Sequence, residues 1–274
     1  YQFHVVQFTW ADDEKIAHTQ AAADQMGITY TAWPVLRKPN VSVGSLLTVL
    51  SSAGKIKKYI RENNIHIVMP RSTFPAMIVN KIKDKNFKLI FDADGLPIEE
   101  RIDFAGLKKE SFQYKLMKSA ETKMLKSADA VITRSQKAID IHTAHIGESY
   151  RSKFSVVFNG RDKNRFAYRP HLREEVRQEL GLKDELLFVY AGSLGPQYCL
   201  TEMLEIFQAY AEKREAKFLI LTGNTEFAEQ NIPLELKPHV ILKSVPSEKV
   251  SFYLNGGDVA FGLRKPTFSM RGVA

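Results

Sequence analysis

Leu187-Phe188-Val189-Tyr190-Ala191-Gly192-Ser193-Leu194-Gly195 is a continuous apolar run that stops in small residues. A strand buried on both faces has no polar alternate, so such a run points to a parallel sheet between layers of helix. The small residues then form a tight turn into a helix from about Cys199. Working outward, Ile65-His66-Ile67-Val68-Met69 and Lys217-Phe218-Leu219-Ile220-Leu221 have the same character. Strands are expected over 3–9, 28–35, 65–69, 87–91, 129–133, 154–158, 186–191, 217–222, 239–243 and 258–263.

Helical spacing lies between them. Leu46, Val49, Leu50, Ala53, Ile56 and Ile60 make one face over 45–62. Phe112, Leu116, Ala120 and Met124 recur every four residues within 106–127. Leu200, Met203, Leu204, Phe207 and Tyr210 do so within 200–213. Strands alternating with helices imply an α/β fold with right-handed crossovers. Turn chemistry at Asn159-Gly160-Arg161-Asp162 and the charged stretch Tyr168 to Leu180 suggest a boundary, after which the alternation restarts. Two Rossmann-like domains are expected, at 1–165 and 166–274.

Composition narrows the function. The chain has 274 residues, 44% hydrophobic and 26% charged, which excludes disordered and fibrous classes. No apolar run approaches the roughly 18–20 residues of a membrane span. Trp10, Asp12, Asp13 and Glu14 interrupt any secretory core, and Cys199 alone cannot make an internal disulfide. A cytoplasmic compartment is expected. The chain opens at Tyr1 directly in a strand and closes just after another, so both ends read as cut.

The net charge of +8 is uneven. Residues 1–165 hold 26 Lys and Arg against 17 Asp and Glu, and residues 166–274 hold 13 against 14. The first half is therefore suited to an anionic partner, whether nucleic acid, membrane or phosphorylated substrate, or it is a solvated lysine-rich surface. The helix with Lys108, Lys109, Lys115, Lys118, Lys123 and Lys126, and the basic stretch 81–88, carry much of this charge. A basic amphipathic helix can lie on an anionic membrane.

Three strand ends could converge on a phosphate. Gly192, Ser193, Leu194 and Gly195 offer backbone N–H groups before a helix N-terminus. Gly223 and Asn224 follow the next strand, and Arg264 and Lys265 follow the last. In open parallel sheets ligands sit beyond the carboxyl ends of the strands. The plainer readings are a strand-to-helix turn and two solvated cations. In the first half, Asp92 and Asp94 end another strand. They could hold a divalent ion, do acid/base or hydrogen-bonding work on a hydroxyl, or form a turn at Asp94-Gly95. The histidines lack metal-ligand spacing and read as structural, and no GxSxG, HExxH or Walker A occurs.

The ordered motifs resemble the retaining GT-B glycosyltransferases of the glycosyl transferases group 1 family (family 4). They are IHIVMPRSTFPAMI (65–78), FDADGLPIEER (91–101), Glu121 with SADAVITRS (127–135), VVFNGRD (156–162), YAGSLGPQY (190–198), LILTGN (219–224) and VPSEKVSFYLNGGDVAFGLRKPTFS (245–269). The resemblance implies a GT-B fold with an acceptor-side first domain and an incomplete donor-side second one. It implies sugar transfer from a nucleotide-diphosphate sugar to a hydroxyl with retention, in polysaccharide or glycolipid assembly. The nucleotide sugar is then a co-substrate, with no resident cofactor or metal. Asp94 would be catalytic. Arg71, Asp92 and Glu99 would meet a sugar or lipid-linked acceptor. The turn residues named above, with Val245, Arg264, Lys265 and Ser269, would meet the donor. Peripheral contact of the first domain with the inner membrane face is expected, and nucleic acid is not.

Several departures stand beside the likeness. Ser193 and Tyr198 occupy the positions where many members carry Arg and Lys. The family's opening Gly-rich loop would precede Tyr1, and its Glu-x7-Glu segment would follow Ala274, so the piece by itself is expected to be inactive. The alternatives are a metal-dependent GT-A transferase using Asp92 and Asp94, and a non-enzymatic polyanion-binding module.

Overall fold

Ten strands and ten helices alternate along the described part of the chain. The computed structural model describes residues 1–83 and 85–272. Asp84 of the basic stretch, and Val273 and Ala274 at the end of the expected second domain, lie outside the described residues. The chain forms two compact units. One comprises Tyr1–Ile98, Lys109–Thr133 and His142–Ser155, and the other Glu99–Lys108, Arg134–Ile141 and Val156–Ala274.

In the first unit, β1 (Phe3–Thr9) and β2 (Ile28–Pro34) pair in parallel through the crossover helix α1 (Asp13–Gln25). Asp12 caps that helix, its carboxylate accepting from the Lys15 N–H. A second sheet holds β3 (Ile67–Val68), β4 (Lys88–Asp92), β5 (Ala130–Thr133) and β6 (Phe154–Val156) in chain order. Leu46, Val49, Ala53 and Ile56 of α2 (Val41–Glu62) pack with Met77 and Ile78 of α3 (Thr73–Val79). Leu116 and Ala120 of α5 (Phe112–Ser127) join them.

Helix α5 departs from its expected face at both ends of the argument. Phe112 is 77% exposed, because it directly follows the N-cap Ser111 and has no preceding turn to pack against. Glu121 is buried instead, beside Met117, Met124 and Leu125. Its carboxylate is met by Lys118 at 2.6 Å, so this lysine belongs to a buried ion pair rather than to a solvated basic face. Of two further helices, α4 (Pro97–Ala105) falls in the second unit from Glu99 on, and α6 (Gln136–Ile146) does so as far as Ile141.

The second unit is a four-stranded parallel sheet ordered β10-β7-β8-β9, with β7 (Leu186–Ala191), β8 (Ala216–Leu221), β9 (Val240–Lys243) and β10 (Val259–Ala260). Alternate side chains of β7 and β8 serve opposite layers. Phe188, Tyr190, Phe218 and Ile220 pack on α8 (Leu200–Ala211) and α9 (Thr225–Asn231). Leu187, Val189, Leu219 and Leu221 pack with Val176 of α7 (Pro170–Glu179) and Tyr253 of α10 (Ser247–Leu254). Two covered faces are the physical reason for the unbroken apolar runs. The strand expected over 258–263 contracts to two residues. Asp258 anchors it: Oδ2 accepts from the Leu187 N–H at 2.8 Å, and Oδ1 from Arg173 at 2.6 Å.

Candidate functional site

In the second unit β7 has β8 on one side and β10 on the other. The chain leaves β7 for β8, whereas β10 is reached from β9 across the sheet, and ligands of open parallel sheets sit beyond the carboxyl ends of the strands. The turn beyond β7 is held from below. The buried Tyr190 phenol donates to the Ser193 carbonyl at 2.6 Å. Burial, and next the neighbouring Tyr198, push its pKa up to about 12, so the phenol keeps its proton and the bond. Asn224 Nδ2 donates to the Leu194 carbonyl at 2.9 Å, tying the end of β8 to the same turn. Arg264 bridges Tyr198 in antiparallel fashion, and the Lys265 N–H donates to the Gln197 carbonyl at 3.1 Å.

The three strand ends thus meet, bringing together Gly192, Ser193, Leu194, Gly195, Asn224, Arg264 and Lys265, with Gly223 preceding Asn224 in the β8 turn. The Gly192 N–H is used by the sheet, donating to the Leu221 carbonyl. Among the described residues, the N–H groups of Ser193, Leu194 and Gly195 have no hydrogen-bond partner. Consecutive unpartnered N–H groups at a strand end are suited to anionic oxygens.

The two cations differ. The Arg264 guanidinium lies 4.4 Å from the centroid of the Tyr198 ring and has no carboxylate partner among the described residues. Lys265 is ion-paired with Glu202 in the first turn of α8, and the hydrogen bond to that carboxylate raises its pKa. Lys265 is therefore first a tie between the β10 loop and α8. Val245 follows the carboxyl end of β9 by two residues, and Ser269 lies in the last helical turn of the described chain. Val245 packs on the Leu219, Leu221 and Tyr253 layer. Ser269 is fully buried, and its N–H donates to Asp103 Oδ2 of α4 at 2.9 Å.

In the first unit, Arg71, Asp92 and Asp94 form one cluster at the carboxyl end of β4. Arg71 Nη2 donates to Asp94 Oδ1 at 2.9 Å, and Nε lies 3.7 Å from Asp92 Oδ2. The hydrogen bond to Asp94 raises the arginine pKa. The Asp94 N–H donates to Asp92 Oδ1 at 3.1 Å, and φ of +50° at Asp94 and +82° at Gly95 turns the chain sharply. Buried His142 places Nε2 3.2 Å from the Gly95 carbonyl. Glu99 is buried in the first turn of α4 and falls in the second unit. The aspartate pair is thus engaged by a guanidinium, and no group of three or more metal-ligating side chains occurs among the described residues.

Sequence reasoning missed that Tyr190 holds the turn after β7, that Tyr198 stacks on Arg264, and that His142 abuts the Asp94-Gly95 turn. Aromatic residues flanking a glycine turn were the available signal for the tyrosines. No local signal marks His142.

No protein-family profile and no characterised protein sequence matches the chain. Solved structures do. HepE from Anabaena in complex with UDP-glucose superposes with a TM-score of 0.67 at 13% identity, over 94% of this chain and 72% of that one. WaaG, a glycosyltransferase involved in lipopolysaccharide biosynthesis, gives 0.62 at 15% over 94% and 73%. The UDP-N-acetylglucosamine 2-epimerase from Rickettsia bellii gives 0.52 at 14% over 91% and 62%. The chain spans 65% of HepE in its UDP complex. The fold is therefore the GT-B type, with Rossmann-like parallel sheets. Because an epimerase shares it, the reaction has to be argued from the site.

Proposed function

We propose that the protein is a retaining glycosyltransferase that moves a sugar from a nucleoside diphosphate sugar, a UDP-sugar foremost, to a hydroxyl of a sugar or lipid-linked acceptor. One observation carries this reading: the unpartnered N–H groups of Ser193, Leu194 and Gly195 beside the stacked, unpaired guanidinium of Arg264. Negative charge grows on the diphosphate as the glycosidic bond breaks, and fixed donors aimed at it lower the barrier. UDP and UDP-glucose bound to HepE, and the lipopolysaccharide role of WaaG, favour a UDP donor and a polysaccharide or glycolipid acceptor.

In this proposal residues 1–165 are the acceptor side and 166–274 the donor side. Asp94 accepts a hydrogen bond from the acceptor hydroxyl, and Arg71 and Asp92 orient it. The nucleotide sugar is a co-substrate and no resident cofactor is needed. Work at the cytoplasmic face of the inner membrane fits a lipid-linked acceptor. No helix among the described residues is long and apolar enough to cross a membrane.

The test is incubation of the native protein with UDP-sugars and a hydroxyl acceptor, read by proton NMR at the anomeric centre. The expected product keeps the donor's anomeric configuration and appears with one UDP per glycoside. Epimerised sugar without a glycoside would put the protein with the epimerases instead.

A further inference from the structure

We infer that His142 is a positioning residue for Asp94, holding the Asp94-Gly95 turn from behind so that the carboxylate keeps one aim. His142 lies in the second half of α6 and belongs to the same unit as the turn. It is 1% exposed, and its ring stacks on Phe154 with centroids 6.1 Å apart. Its Nε2 lies 3.2 Å from the carbonyl of buried Gly95. A carbonyl can only accept, so Nε2 carries a proton and donates it. Filling this volume alone would suit an apolar ring, because a buried imidazole is costly unless its polar atoms are bonded.

The turn needs such a hold. Asp94 at φ +50° and Gly95 at φ +82° are successive left-handed residues, and at Asp94 that conformation crowds the Cβ. Backbone of this kind persists where its surroundings over-determine it. On the near side the restraints converge on Asp94. Arg71 Nη2 donates to its Oδ1 at 2.9 Å, and its own N–H donates to Asp92 Oδ1 at 3.1 Å. Arg71 is seated in turn, because the Asp92 N–H donates to the Pro70 carbonyl at 3.1 Å and the Ser72 N–H to the Asp92 carbonyl at 2.8 Å.

On the far side stands Gly95, whose backbone is free to swing where no side chain restricts it. The imidazole removes that freedom by fixing the peptide plane between Gly95 and Leu96. Leu96 and Ile98, both fully buried, then anchor the chain beyond the turn. With both flanks fixed, the Asp94 carboxylate meets an incoming hydroxyl in a preset orientation, which is where positioning acts on rate. This deepens the proposed function and rests on its reading of Asp94 as the group that meets the acceptor hydroxyl.

The experiment measures transfer from a UDP-sugar to a hydroxyl acceptor by the native protein, His142→Leu and His142→Gln. Leucine fills the space but donates nothing, whereas the glutamine amide can reach the carbonyl. In His142→Leu kcat should fall about 10–100-fold, the scale of a misplaced reacting group, with donor KM and UDP affinity within about twofold. His142→Gln should return to within about threefold of wild type. Added to Asp94→Asn, His142→Leu should cost less than about twofold more, because residues acting as a unit are not additive. A packing role alone would cost the same in both backgrounds and would not be mended by glutamine. Either of those results would overturn the inference, as would transfer by His142→Leu within about threefold of wild type. If the leucine variant does not fold, His142→Asn replaces it, its amide being too short to reach the carbonyl. If wild type makes no glycoside, the transferase reading fails and amide proton–nitrogen spectra decide the inference instead. The Asp94, Gly95 and Leu96 amides should then shift in His142→Leu and return in His142→Gln, and amides that stay in place would overturn it.

Discussion

Asp94→Asn should lower sugar transfer about 10²–10⁴-fold while leaving donor affinity within about twofold of wild type. The substitution keeps the side-chain shape, and asparagine, like aspartate, is among the non-glycine residues that tolerate the left-handed backbone at φ +50°. It removes the charge that Arg71 meets at 2.9 Å and weakens the acceptor available to a substrate hydroxyl. Donor affinity is spared because the nucleotide is expected at the β7, β8 and β10 strand ends of the other unit. Steady-state kinetics separate the two effects: the loss should fall in kcat, and KM for the donor should barely move. Transfer within about threefold of wild type would reduce the aspartate pair to a turn-forming element.

Arg264→Ala should weaken UDP binding about 10–150-fold, the equivalent of one charge-assisted hydrogen bond worth roughly 1.5–3 kcal/mol. The guanidinium is already stacked on Tyr198, so little side-chain freedom is lost on binding. Arg264→Lys should recover only part of the affinity, since a lysine restores the charge but not the planar fork. Lys265→Ala should cost less, because that ammonium is occupied by Glu202 and its loss acts through the seating of α8. Calorimetric titration of UDP into the variants reads the order directly. A larger loss at Lys265 than at Arg264 would reverse the assignment.

The central strands of the second unit were legible because both sheet faces are covered there, and a run such as Leu187 to Tyr190 has no other economical fold, whereas the similar run at 65–69 forms only the two-residue β3 with Ile67 and Met69 half exposed. The convergence of three strand ends was legible for the same reason, since a parallel sheet puts its carboxyl ends on one edge. Partners distant in sequence were not. Glu202 reaches Lys265 across 63 residues, and Arg71 reaches Asp94 across 23, with no periodicity to announce either pair. Ser269 sat in a promising motif, yet tertiary packing sends its N–H to Asp103, 166 residues away. The charged stretch from Tyr168 to Leu180 read as a boundary. It folds as α7, with a proline in its first turn and Val176 as its one buried residue. Phe112 shows the limit of spacing arguments: the four-residue rhythm held, but the first position of a helix has no neighbour above it.

The central claim is that Ser193, Leu194 and Gly195 present their N–H groups to a nucleoside diphosphate. Amide proton–nitrogen correlation spectra of the deuterated native protein, recorded during titration with UDP and then with uridine, test it residue by residue. The account predicts saturable downfield shifts of these three amides with UDP, far smaller shifts with uridine, and loss of the response in Arg264→Ala. Saturable UDP binding that leaves the three amides unmoved, or shifts confined to Asp92, Asp94 and Gly95, would contradict it.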